Sequence, residues 1–227
     1  MNNDKFQELR DKTFDYEDNQ EHFVGSHFDA FFENMEEEVM MQIPDMLGKG
    51  VVVEPYYSNN EEFFKENLTK VLKNHKIDLA CFRDKESSNF KELAFIFIET
   101  CKKFNIEKIV LNGNYLLASE LNATGVHLTS TQFDKIKEAK ELGLYVIISC
   151  HSLNDIKIAL DNKVDAVTYS PIFETPNKGE PKGIIALEEV INKYHNLNII
   201  ALGGIINDEQ IEQISKTKAY GFASIRH

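Results

Sequence analysis

Cysteine, net positive charge and long apolar runs are all scarce in this 227-residue chain. The three cysteines, Cys81, Cys101 and Cys150, are odd in number and show no metal-ligand spacing. Free thiols in a cytoplasmic protein are the plain expectation. Lys and Arg total 25 against 37 Asp and Glu, a formal net charge of −12. That balance argues against nonspecific nucleic-acid binding, which needs a basic footprint. It leaves room for a small anionic ligand in a local site. No apolar run is long enough to span a bilayer, and the start, Met1 to Lys5, lacks the basic-then-apolar pattern of a signal peptide. The expectation is a cytoplasmic protein without membrane or nucleic-acid partners.

What is present is a repeat of short apolar runs, each followed by a helical pattern. The runs are Val51 to Pro55, Ile77 to Arg83, Lys108 to Asn112, Gly125 to Leu128, Tyr145 to Ser149, Asp165 to Ser170, Asn198 to Leu202 and Tyr220 to Ile225. Between them, apolar residues recur at helical spacing. The clearest case is Phe90, Leu93, Ala94, Phe97, Ile98 and Cys101. Phe133, Ile136, Ala139 and Leu142 form another set, and Leu153, Ile156, Ala159 and Leu160 a third. Eight strands alternating with helices are the pattern of an α/β (β/α)8 TIM barrel. The sequence stops at His227, so no eighth helix is expected after the last strand; a helix between His27 and Leu47 is expected to fill part of that gap or to close the barrel bottom, and a homodimer is a further expectation.

Residues 1–49 differ in character. They are acidic and rich in phenylalanine. Phe28, Phe31, Phe32, Met35 and Val39 share one helical face between His27 and Leu47. The reading is an N-terminal helical extension, residues 1–49, ahead of a barrel at 50–227.

Barrel chemistry sits at the C-terminal strand ends. That rule selects Arg83, Lys85, Asn112, Ser149 and His151, with Lys178 on a loop long enough to act as a lid. Arg83 and Lys85 alternate at a strand end and suit an anion. Gly203 and Gly204 follow the seventh run, and Ser224, Ile225 and Arg226 close the eighth. Barrels commonly bind phosphate at that pair of loops. His151 stands two residues beyond the fifth run, where an imidazole can shuttle a proton; a helix-capping histidine is the plainer alternative. His127 lies inside a strand and reads as a packed barrel-layer residue.

Together these segments resemble the thiamine phosphate synthase/TenI superfamily from about Val51 onward. Cys81-Phe82-Arg83-Asp84-Lys85 matches its Gln-Phe-Arg-Glu-Lys. Gly125-Val126-His127-Leu128 matches Gly-Val-His-Leu, and Ser149-Cys150-His151-Ser152 matches Ser-x-His-Ser. Ser170-Pro171-Ile172-Phe173 with Lys178 matches Gly-Pro-Ile-Phe and its lysine-bearing loop, and Gly203-Gly204-Ile205 matches the phosphate turn. The resemblance implies a barrel that binds thiazole phosphate as its small-molecule partner.

Synthases of the family join a pyrimidine pyrophosphate to that thiazole, using Mg2+ held by two aspartates. Here those positions are Gly113 and Gln132. Both carboxylates are gone, and Asn114, Glu120 or Asp134 would have to substitute. The TenI-like branch aromatises a thiazole carboxylate phosphate by a proton shift and implies no cofactor; His151 maps to its proton carrier. The Leu128-Thr129-Ser130 segment and Glu174 resemble that branch too. The reading is therefore a thiazole tautomerase without metal, with a divergent Mg2+-using thiamine phosphate synthase second. A non-catalytic thiazole or thiamine phosphate binder is third.

Overall fold

A computed structural model describes residues 48–53, 61–84, 88–176 and 178–224, the first of these spans by its backbone only. The expected helix between His27 and Leu47 lies outside the described residues.

The elements alternate from end to end. They are β1 (Gly48–Val53), α1 (Glu61–Asn74), β2 (Leu79–Phe82), α2 (Phe90–Lys103), β3 (Lys108–Asn112), α3 (Tyr115–Glu120), β4 (Gly125–Leu128), α4 (Ile136–Glu141), β5 (Tyr145–Cys150), α5 (Leu153–Asp161), β6 (Ala166–Tyr169), α6 (Gly183–Lys193), β7 (Asn198–Leu202), α7 (Asp208–Ser215) and β8 (Gly221–Ser224). Every strand pairs in parallel with the next, and β1 pairs with β8, so the sheet closes. Parallel neighbours need long crossovers, and the helices supply them.

Alternation along each strand divides the side chains between two layers. Cys81, Val110, Ile147, Ala166, Ile200 and Ala223 pack together inside the barrel. Their neighbours Ala80, Phe82, Ile109, Leu111, Val126, Leu128, Val146 and Ile148 point outward and are fully or almost fully buried under the helices. Phe82 anchors one sector. Its ring lies 5.8 Å from Phe64, 5.3 Å from Phe90 and 5.4 Å from Phe97, joining α1, β2 and α2. Truncating such a buried phenylalanine costs about 3–5 kcal/mol.

Register is set tightly between β4 and β5. Gly125 pairs with Tyr145, and a Cβ at Gly125 would stand 2.2 Å from the Tyr145 carbonyl oxygen. Only glycine permits that approach.

The helical faces depart from expectation at three leucines. Leu142, Leu153 and Leu160 are exposed, at 45%, 48% and 37%. Leu142 is the residue after the end of α4, where the chain leaves its helical face. Leu153 opens α5 before that helix meets the sheet, and Ile156 and Ala159 carry its burial. No helix of the described residues is long and apolar enough to cross a membrane.

Candidate active site

The C-terminal end of the barrel gathers polar side chains from consecutive strands. Asn112, His127, Ser149 and Thr168 occupy inward positions at the ends of β3 to β6. His127 is their hub. Its Nε2 lies 3.0 Å from Ser149 Oγ and 3.3 Å from Thr168 Oγ1. Its Nδ1 is 3.9 Å from Cys81 Sγ. Asn112 Nδ2 donates to the His127 carbonyl at 3.3 Å. Burial, and then the positive charge of Arg83, lower the His127 pKa from 6.5 to about 4. The ring is therefore neutral near pH 7, able to accept a proton from a hydroxyl but not to carry charge. Arg83, partly buried at the end of β2, has its own pKa lowered by desolvation. Strand-by-strand reading set His127 aside as packing. The same alternation that selected Ser149 brings it into the polar cluster.

His151 stands apart from this cluster, on the rim. Its Nδ1 is 3.0 Å from the Ser170 carbonyl oxygen and 3.3 Å from Ser170 Oγ. A carbonyl only accepts, so Nδ1 carries the proton and Nε2 is the basic nitrogen. The His151 backbone is fixed as well. Its N–H and that of Ser152 both donate to Asp155 Oδ2, at 2.8 and 2.9 Å. Ser152 Oγ accepts from Asp155 N, completing a capping box at the start of α5. The same segment therefore caps a helix and sets an imidazole.

Gly203 and Gly204 have φ of +96° and +69°. Ile172 N–H and Phe173 N–H donate to the carbonyls of Leu202 and Gly203, both at 3.0 Å. A Cβ on Gly204 would meet the Glu174 oxygen at 2.4 Å. Both glycines are thus required by the neighbouring loop, quite apart from any anion. Ser224 Oγ donates to the Ile205 carbonyl at 2.9 Å and ties β8 to this turn. Lys178 is exposed on the loop after β6. Lys85, Ile225 and Arg226 lie outside the described residues. The three cysteines are free and buried, with thiol pKa values pushed up to about 12, so they stay protonated.

The positions at which the resemblance implies metal ligands do not form a metal site. Gln132 Nε2 donates to the Gly113 carbonyl at 2.8 Å. Its Oε1 accepts from Thr129 N at 3.0 Å and Thr129 Oγ1 at 3.1 Å. The amide is consumed by protein partners and offers a cation nothing anionic. The substitutes fail for separate reasons. Asn114 Oδ1 caps α3 through Leu117 N–H, Glu120 pairs with Lys91, and Asp134 pairs with Lys135 on an exposed face. Among the described residues no cluster of three His, Cys, Asp or Glu side chains is placed to hold a metal.

A closed parallel α/β barrel with a polar cluster at its C-terminal mouth has the build of a barrel enzyme. A family model described as thiamine monophosphate synthase matches residues 51–227, and the chain belongs to that thiamine phosphate synthase/TenI family. It is 33% identical over 170 residues to a putative thiamine-phosphate synthase 2 of Aquifex aeolicus, covering 72% of this chain and 89% of that protein. It is 31% identical over 147 residues to the thiamine-phosphate synthase of Pelagibacter ubique, covering 63% and 70%. Among solved structures, a thiamine phosphate pyrophosphorylase from Pyrococcus furiosus superposes with a TM-score of 0.64 at 20% identity, over 80% of this chain and 86% of that one. A likeness at that identity speaks to the fold alone.

Proposed function

We propose that this chain is a thiamine-biosynthesis enzyme that joins a pyrimidine pyrophosphate to a thiazole phosphate at the barrel mouth. Its similarity across most of the barrel to proteins named thiamine-phosphate synthase carries this reading. It reverses the order favoured by the lost aspartates. The coupling breaks a carbon–oxygen bond to pyrophosphate, which leaves with the electron pair. The thiazole nitrogen then supplies the pair for the new bond. Arg83 stands at the mouth as a partly buried positive charge suited to the departing anion. Lys85 and Lys178 are proposed to add to it. Gly203, Gly204 and the Ser224 to Arg226 turn are proposed as the thiazole phosphate cup, with Asn112 and Ser149 as polar contacts to the ring substrates. The Mg2+ that the family resemblance implies has no fitting ligands among the described residues.

One observation favours tautomerisation as a second reading. The Ser170 carbonyl holds the His151 ring with Nε2 as its basic nitrogen, as a proton carrier requires. The two reactions separate in one assay. Pyrimidine pyrophosphate and unaromatised thiazole carboxylate phosphate are supplied with Mg2+, and thiamine phosphate is read as thiochrome fluorescence. Product from this chain alone is the expected result. Acceleration only when an authentic synthase is added would overturn the coupling reading in favour of the tautomerase. No effect in either arm would leave a binder.

A further inference from the structure

The two positions where the family resemblance calls for carboxylates are not merely empty of charge. They are bonded to each other. Gly113 begins the loop after β3, and Gln132 sits in the loop after β4, nineteen residues on. The Gln132 carboxamide spans them, donating to the Gly113 carbonyl at 2.8 Å and accepting from Thr129 N–H and Oγ–H. Gly113 N–H also donates to the His127 carbonyl on β4 at 2.9 Å, so the start of the first loop is tied to the neighbouring strand as well. A Cβ on Gly113 would stand 3.7 Å from Gln132 Oε1, so side chains at the two positions meet.

A cation held by two carboxylates would link these same loops. It would set their spacing and add local positive charge. The carboxamide performs the first task without the second. Its oxygen has both lone-pair directions taken by Thr129, and its N–H faces a carbonyl, so the group presents no anionic oxygen to a metal. We infer that the Gln132 carboxamide replaces a divalent cation as the tie between the loops after β3 and β4, and that no divalent cation binds at this place. The proposed coupling then draws its local positive charge from Arg83 and from basic side chains of the mouth loops. The inference deepens the coupling reading and rests on it only for the location of the reacting site.

The test needs neither organic substrate, so its failure is separable from failure of the thiochrome assay. Mn2+ binding to the full chain is followed by electron paramagnetic resonance, with inorganic pyrophosphate present. The proteins are the wild type, Gln132→Ala and the pair Gly113→Asp with Gln132→Asp. Aspartate tolerates the left-handed backbone at Gly113, φ +74°, better than most residues do. Wild type and Gln132→Ala should give the same weak background from surface carboxylates. The Asp pair should gain one site tighter by about ten-fold or more. Gln132→Ala should also melt below wild type, since it strands the Gly113 carbonyl and Thr129 N–H. Circular dichroism establishes that each variant is folded. A wild-type Mn2+ site that Gln132→Ala weakens about ten-fold or more would overturn the inference. So would a folded Asp pair that gains no site, or an unchanged melting temperature for Gln132→Ala.

Discussion

His127 shows how one buried side chain can link the mouth to the stability of the molecule. Its folded pKa is lowered from 6.5 to about 4. Between those values the unfolded chain binds a proton that the folded chain refuses. Stability therefore rises with pH in that window and is lost as pH falls from about 6.5 to 4, levelling below. The shift amounts to about 3 kcal/mol. In urea unfolding at a series of pH values, His127→Gln should flatten the slope between pH 6.5 and 4. A slope equal to that of wild type would show that other groups cause it. At the same scale the placement of Arg83, Asn112 and Ser149 at strand ends was legible, because strand ends are visible as apolar runs that turn polar. His127 is the packed barrel-layer histidine that its place in a strand implies, while its contacts with Ser149 and Thr168 depend on partner strands that spacing does not reveal. Gln132 was legible only as a lost carboxylate. Its bonds to Gly113 and Thr129 depend on a loop path that spacing does not reveal.

Among the elements, α5 is the one whose start bears most directly on the rim. Asp155 is the third residue of that helix, and its Oδ2 accepts from both His151 N–H and Ser152 N–H. Ser152→Ala should lower stability by about 1 kcal/mol, the usual worth of such a cap. Asp155→Ala should cost more, since two N–H groups lose their acceptor, and should also slow any reaction that uses His151. Thermal melts and steady-state rates on the two variants check this. Equal rates for Asp155→Ala and wild type would remove the link between cap and imidazole. The element pattern itself was clear in the sequence. β4 and β7 lie at the expected residues, and the helical stripe of α2 is buried as expected at Leu93, Ala94, Phe97, Ile98 and Cys101. The failures fall near helix ends, at Leu142 just past α4 and at Leu153 and Leu160 in the first and last turns of α5, where a periodic pattern runs beyond the residues that face the sheet.

For the barrel as a whole, the two ends divide the labour. The mouth carries His127, Ser149 and Arg83, while the opposite end is held by ion pairs and strand-start hydrogen bonds. Asp165, just before β6, accepts from Lys140 Nζ at 2.8 Å through both oxygens and from Val146 N–H at 2.6 Å. Asp165→Ala should cost about 1–3 kcal/mol, since it strands a backbone donor. Turnover should stay unchanged. Denaturant midpoints and kcat/KM measured side by side test this, and a fall in kcat/KM without a fall in stability would break the division. The alternation of strands and helices was legible as a count of runs. Pairing of β1 with β8 is a long-range fact that only the coordinates supply.

The loop after β6 is rooted on both sides. Ile172 and Phe173 are pinned to the carbonyls of β7 and its turn, while Lys182 and Gly183 donate back to the carbonyls of Pro171 and Ile172 at 2.9 and 3.0 Å. With both roots held in this way, lengthening the chain between them should leave the strands unstrained. For an engineer, the interval between Thr175 and Lys182 is the place to graft a foreign peptide, a purification tag or a fluorophore attachment site onto the rim without disturbing the barrel's register.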